Sequence, residues 1–336
     1  MTRALPTGWT LSASAFNLTP TVIAADRTAP DVAASLIEEG LATHIEVELG
    51  QLWRSFPEPS TAEATAFGER LARIDGRVSI VGGSLDDWTP AGRRRSEDER
   101  YAFLEPQLRA TAEMGATGLR LPLGQAGPVL LGRLVPLLEE LDLVLFEEAQ
   151  GQGAPGNPGA APAYETLARI DSPHVRLLLD ISMLMPALPT TYLEQLETAG
   201  LPSDLVRRLR DEWQDPATAA AVVDVLRSGA VPPQVHTLYM NLLVRFGRSS
   251  IADVVPVLPL LSAAHLKFWD LDDSDARVSQ PIRDLAAALH RVGFAGTLCS
   301  EWGGQEWLDD DPLATTRAHL ELASAALADG AASLAA

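Results

Sequence analysis

Eight short runs of β-forming residues recur along this chain, and the longer stretches that separate them pair an apolar stripe with charged positions. The runs are 10–18 (TLSASAFNL), 44–50 (HIEVELG), 77–83 (RVSIVGG), 117–124 (TGLRLPLG), 143–151 (LVLFEEAQG), 175–183 (VRLLLDISM), 264–271 (AHLKFWDL) and 296–304 (GTLCSEWGG). Strands that alternate with helices build parallel sheets covered by those helices. Eight is the number at which such a sheet closes. The expected fold class is therefore α/β, a (β/α)8 TIM barrel.

Helix candidates lie at about 29–41, 60–74, 97–114, 127–140, 162–171, 251–261, 281–293 and 310–331. Between the sixth and seventh runs the interval is much longer. About 187–250 reads as a helical insertion, with segments such as YLEQLETAG and PSDLVRRLRDEW, which caps the site or makes a subunit contact. No linker divides the chain, so residues 1–336 are expected to form one domain.

Composition removes several function classes. The formal net charge of -19 repels a polyanion, so no nucleic-acid partner is expected. No run approaches the roughly 18 apolar residues of a membrane span, and no membrane partner is expected either. The amino terminus lacks the apolar centre of a secretory signal, which makes the expected location cytoplasmic. The lone cysteine, Cys299, excludes an intramolecular disulfide framework. Among 26 cationic side chains only Lys267 is a lysine, two residues after His265. It is either a neutral substitution or a functional ammonium.

One motif is deceptive. GQGAPG at 151–156 matches the dinucleotide fingerprint and follows a strand, but Pro155, Pro158 and Gly159 stop a helix from starting there. The segment 151–163 reads instead as a flexible loop on the face where barrels carry their chemistry, a lid or an ordinary connection.

Polar residues gather where strands five to eight end. Strand five closes on Glu147 and Glu148, strand six on Asp180 and strand eight on Glu301, while strand seven carries His265 and Lys267. Period-two geometry decides between the neighbouring glutamates: if Val144 and Phe146 face inward, so does Glu148, and Glu147 points to the helical layer or the rim. By the same rule Thr297, Cys299 and Glu301 share a face, with Cys299 a small buried residue beneath the site. Three carboxylates and an imidazole at four consecutive strand ends would repel one another unless a cation neutralised them. Glu148, Asp180, His265 and Glu301 are accordingly the expected ligands of one divalent ion, Mn2+ first, with Mg2+, Co2+ and Fe2+ as alternatives.

Read in order, LVLFEEAQG, LLLDISM, AHLKFWD and GTLCSEW resemble the four metal-bearing segments of the xylose isomerase-like barrel superfamily. That group includes sugar isomerases, ketose 3-epimerases, inosose dehydratases and endonuclease IV. The resemblance implies the same four ligands. Relatives often show Glu-Asn-His after strand five and Asp-x-x-His after strand six, where this chain has Glu148-Ala149-Gln150 and Asp180-Ile181-Ser182-Met183. With Met183 in place of a histidine, that side of the pocket is expected to be apolar. HLKFWDLDD followed by SEWGG also resembles the branch containing the catalytic subunits of C-glycoside deglycosidases, which cleave a carbon–carbon bond of a 3-oxo-glycoside together with a smaller partner.

Three readings follow. The first is a metal-dependent isomerase or epimerase of a neutral sugar or keto-sugar, working through an enediolate, with Glu148 and Glu301 exchanging the proton. In that reading Lys267 and Gln150 stabilise the oxyanion and Arg120 holds a distal hydroxyl. Trp269, Trp302 and Trp307 either stack on the sugar or aglycone or pack the rim. The second keeps the first step and ends in elimination, as in a dehydratase or a lyase acting on a 3-oxo-sugar. The third, motivated by the missing histidines, is a non-catalytic sugar-binding barrel. Family habit implies a homo-oligomer or a complex with a small second subunit.

Overall fold

The order β1 (Trp9–Ser14), β2 (His44–Glu48), β3 (Arg77–Gly82), β4 (Gly118–Pro122), β5 (Val144–Ala149), β6 (Val175–Asp180), β7 (Leu261–Phe268) and β8 (Gly296–Trp302) is also the order of the strands in space. Each pairs in parallel with the next, and β8 returns to β1, Trp9 lying beside Gly296. The computed structural model describes residues 4–333 and shows a closed (β/α)8 barrel. Among the described residues no helix is long and apolar enough to cross a membrane.

The strands are short because the sequence stops them. Ser14 accepts a hydrogen bond from the Phe16 backbone N–H at 3.2 Å and winds Ala15–Leu18 into a 3-10 turn, so β1 ends four residues before the apolar run does. Asp180 does the same to β6 by accepting from the Ser182 N–H at 2.7 Å. The helix expected over 251–261 is confined to Ile251–Val254. Pro256 and Pro259 turn the rest into a 3-10 segment, and β7 starts three residues earlier than the sequence pattern placed it.

Period two sorts the barrel interior into layers. Ile80, Phe146, Leu178 and Ala263 plug the lower interior. One step further toward the carboxyl ends, the same faces of β5, β6 and β7 present Glu148, Asp180 and His265. An apolar floor thus lies beneath a charged layer.

Between β6 and β7 the chain runs through helices Thr190–Thr198, Ser203–Asp211, Pro216–Arg227 and His236–Val244. They bury their own cluster, including Tyr192, Leu196, Leu209, Trp213, Tyr239 and Phe246, to which the barrel contributes Trp269. Edge-to-face contacts of Phe246 with Tyr192 and with Trp269, at 4.8 and 4.9 Å between centroids, join this cluster to the end of β7.

On the outer side of β8, His319 of helix Pro312–Ala332 is fully buried, stacked on Phe268 at 3.8 Å and bonded through Nδ1 to the Ser300 hydroxyl at 2.8 Å. Burial pushes its pKa down to about 3, so the imidazole is neutral in the fold and protonates more readily in the unfolded chain. The sign follows: this contribution is complete above the unfolded value near 6.5 and shrinks as pH falls toward 3, by about 1.4 kcal/mol per pH unit. Urea midpoints measured from pH 7 to 4 should fall more steeply for the parent protein than for His319→Asn. Identical slopes would remove His319 from the acid response.

Candidate metal centre

The carboxyl ends of β5 to β8 bring four buried side chains to one point. Ligand atoms of Glu148, Asp180, His265 and Glu301 all lie within 4.8 Å of one another. Register does this: Asp180 pairs with His265 across β6 and β7, and Lys267 with Glu301 across β7 and β8. His265 Nδ1 sits 3.0 Å from Glu148 Oε1 and 2.7 Å from Glu301 Oε2, yet it has no hydrogen-bond alignment with either. Asp180 Oδ2 and Glu301 Oε2 are likewise buried without a hydrogen-bond partner.

Buried polar atoms left unpaired cost about 1–3 kcal/mol each. Three such atoms converging on one spot fit a cation better than they fit one another. Three carboxylates and one imidazole, without thiolate, match a hard or borderline divalent ion.

A second layer holds the first. Glu46, fully buried on β2, accepts from His265 Nε2, which is 3.1 Å from both carboxylate oxygens, and so turns Nδ1 toward the cluster. Arg120 of β4 is bonded to three carboxylates at once: Nη1 to Glu148 Oε2 at 2.8 Å, Nε to Glu46 and Nη2 to Glu48. Lys267 Nζ lies 3.0 Å from Glu301 Oε1.

This arrangement sets the protonation states. Burial works against ionised Glu148, but Arg120 and His265 outweigh it and hold that carboxyl down to about 2. Burial likewise opposes ionised Glu301, and Lys267 and His265 keep it well below the usual range. Burial dominates at Asp180 and at Glu48, pushing each up to about 6. At His265 burial is overcome by Glu46, Glu301 and Glu148, whose field raises the imidazole well above its ordinary value. A field that draws a proton onto a buried histidine draws a divalent cation to the same place.

No family model matches the sequence. In sequence the chain is similar to the C-glycoside deglycosidase alpha subunit of Arthrobacter globiformis, 26% identical over 91% of this chain and 89% of the relative. It is similar also to the 3'-dehydrocarminate deglycosidase alpha subunit of a Microbacterium species, 24% identical over 90% of each. Among solved structures it superposes on D-psicose 3-epimerase with a TM-score of 0.54 at 12% identity, covering 94% of this chain and 96% of that one. That likeness is one of fold, the closed (β/α)8 barrel.

Above this acid–imidazole cluster the barrel opens into a cavity of about 630 Å3. Its wall includes Arg120, Glu148, Gln150, Lys267, Trp269 and Glu301, all singled out from the sequence. Arg120 has a further part in the site: its guanidinium donates to Glu46, Glu48 and Glu148 and is their shared counter-ion, which leaves two of its five N–H groups for a ligand.

Trp302 needs correcting in place. It alternates with Glu301, so its ring points away from the cavity, fully buried, with Nε1 donating to the Trp269 carbonyl at 2.8 Å. Trp307 packs on Tyr192 and donates to Thr191 Oγ1, also off the cavity. Met183 is wholly buried in the barrel's outer core, and the neighbouring Ser182 reaches the wall instead. The apolar part of the wall comes from Phe16, Pro122, Leu123 and Trp269 of the barrel and from Leu243 and Val244 of the insertion.

Cys299 is buried beneath Glu301, and burial raises its thiol well above the ordinary range. The glycine-rich loop supplies Gln152, Gly153, Asn157 and Gly159 to the wall, and helix begins only at Ala161.

Sequence reasoning missed Glu46 and Glu48. The signal was present in HIEVE, where two glutamates at spacing two share the inward face of β2.

Proposed function

We propose that this chain is the catalytic subunit of a metal-dependent lyase that releases the aglycone from a 3-oxo-C-glycoside, acting with a second, smaller subunit. The observation that carries the proposal is the near end-to-end similarity to two deglycosidase alpha subunits. The buried acid–imidazole cluster at the strand ends supports it.

The ion, Mn2+ in this reading, supplies positive charge opposite an oxyanion when it is bound. Glu148, Asp180, His265 and Glu301 would hold it. The remaining chemistry belongs to the side chains. A proton on C2, acidified by the neighbouring C3 carbonyl, passes to Glu148 or Glu301, both of which are held ionised on the cavity wall. The electron pair left on C2 is delocalised onto the C3 oxygen, toward which Lys267 presents its ammonium. That pair then forms the C1–C2 double bond as the bond from C1 to the aglycone carbon breaks. The aglycone carbon takes a proton in exchange. Glu48, a quarter exposed on the same wall with its carboxyl pushed up to about 6, is the acid suited to give it.

Two carboxylates around one point also serve an epimerase, which would return the proton to the opposite face of the same carbon. Incubating the Mn2+-loaded protein with a 3-oxo-C-glucoside, with and without the second subunit, separates the outcomes. Free aglycone and an unsaturated keto-sugar are expected; an epimerised glycoside with no aglycone released would replace the lyase with the second reading. Glu48→Gln is expected to slow aglycone release about 100-fold at unchanged metal content, and to remove the limb of the pH–rate profile set by that acid. A profile unchanged in shape would take the proton-donor role from Glu48.

A further inference from the structure

A cavity of about 630 Å3 is the size of pocket that encloses a drug-sized ligand, more than a single pyranose ring fills. Its two sides differ in the balance of their chemistry. Glu48, Arg120, Glu148, Lys267 and Glu301 charge the barrel side, where Phe16 and Trp269 also stand, whereas the insertion contributes Leu243 and Val244, at the end of helix His236–Val244, with Arg245 after them. Val244 is 58% exposed although its neighbours Leu242 and Phe246 are wholly buried in the insertion's core. One exposed valine needs no explanation by itself. This one stands on the wall of the cavity that opens onto the acid–imidazole cluster, and its backbone is pinned there.

The pinning is a seam between the insertion and the loops that carry two of the ligands. Gly247 donates to the Ser182 carbonyl at 2.7 Å and Ser249 to the Met183 carbonyl at 2.9 Å, both directly after Asp180. Gln152, four residues after Glu148, donates its backbone N–H to the Val244 carbonyl at 3.3 Å and its side-chain amide to the Phe246 carbonyl at 2.5 Å. Contact is so close that only glycine fits at two points. A Cβ on Gly151, whose φ is +54°, would lie 2.0 Å from the Val244 carbonyl oxygen, and one on Gly247 would lie 2.4 Å from the Met183 Cα. The ion pair between Arg245 and Glu306 holds the same end of the helix, one residue beyond Val244. The apolar wall is therefore held at a set distance from the reacting centre.

We infer that Leu243 and Val244 form an aglycone subsite, which takes a flat, apolar or aromatic group on C1 of the sugar while the sugar's oxygens face the charged side. This inference rests on the lyase reading for the sugar's orientation, and it names insertion residues as determinants of specificity. Burying an aliphatic side chain against such a group supports a preference of at least about tenfold.

Titration calorimetry of the full-length, Mn2+-loaded protein with C-phenyl glucoside and with glucose tests it. The C3 hydroxyl of both probes blocks elimination, so only binding is read. C-Phenyl glucoside should bind at least tenfold more tightly, and Val244→Asp should erase most of that margin while leaving glucose affinity and bound metal unchanged. Val244→Ala, which adds no charge, should lose a smaller part. Equal affinities for the two probes, or a margin that survives Val244→Asp, overturns the subsite; so does failure of both probes to bind. Aglycone release from a 3-oxo-C-glucoside is scored separately. Release without an aryl preference removes the subsite and keeps the lyase, whereas an aryl preference without release keeps the wall and removes the lyase.

Discussion

Dialysis of the protein against a chelator is expected to lower turnover by more than about 10^3-fold and Mn2+ to restore it, because oxyanion stabilisation of the kind a cation provides is worth at least that of a single lost donor, 10^2–10^3. The same treatment should be visible without any substrate. Asp180 Oδ2, His265 Nδ1 and Glu301 Oε2 are left without hydrogen-bond partners by the protein itself. An ion that satisfies all three binds the native state alone, and saturation to 1,000 times its dissociation constant stabilises the fold by about 4 kcal/mol. The thermal midpoint should therefore rise with Mn2+ and fall with chelator, and Asp180→Asn should blunt both responses. A midpoint and a rate indifferent to chelator would mean that the four side chains do not share an ion.

Arg120→Met is expected to be the most damaging single change to stability near the site, costing about 3–5 kcal/mol, the penalty typical of removing one partner from a buried ionic network. The arginine is the shared counter-ion of Glu46, Glu48 and Glu148, of which Glu46 is fully buried and Glu148 nearly so. Methionine fills similar space and leaves three carboxylates facing one another. Adding Glu48→Gln should recover part of the loss, since one repelling charge is gone, and the double-mutant cycle isolates that coupling. Urea unfolding of the four proteins supplies the numbers. Strict additivity of the two substitutions would show that Arg120 is not the partner that makes Glu48 tolerable.

The barrel was legible because its signal repeats. Eight apolar runs, each too short for a helix, leave one closed topology, and period two then ranks Glu148 above Glu147 and sets Cys299 beneath Glu301. The cluster was legible for the same reason, as each of its residues closes or lines a strand. Glu46 and Glu48 obey the identical rule in HIEVE, but β2 lies outside the four segments that carry the family resemblance. Arg120 was seen, but its carboxylate partners were not: a guanidinium next to three carboxylates from two other strands is a fact of register between β2, β4 and β5, which no local pattern carries. Trp302 is the reverse case, since alternation with Glu301 already turned its ring outward. Leu243 and Val244 had no local signature at all. A helix end in an insertion reaches the cavity only through tertiary contacts at 151–152 and 247–249.

That seam divides the insertion into a part that evolution or an engineer is free to exchange and a part that is not. Helices Thr190–Thr198, Ser203–Asp211 and Pro216–Arg227 meet the rest of the molecule through an apolar cluster that Leu242, Phe246 and Trp269 share, so a foreign segment could replace them if it filled the same space against those side chains. The stretch 241–249 behaves as a dovetail cut to match two loops of the barrel. A recipient scaffold accepts it only if the residue at the position of Gly151 lacks a β-carbon, as Gly247 does within the stretch, so the pocket wall and the loops after Glu148 and Asp180 have to be exchanged together.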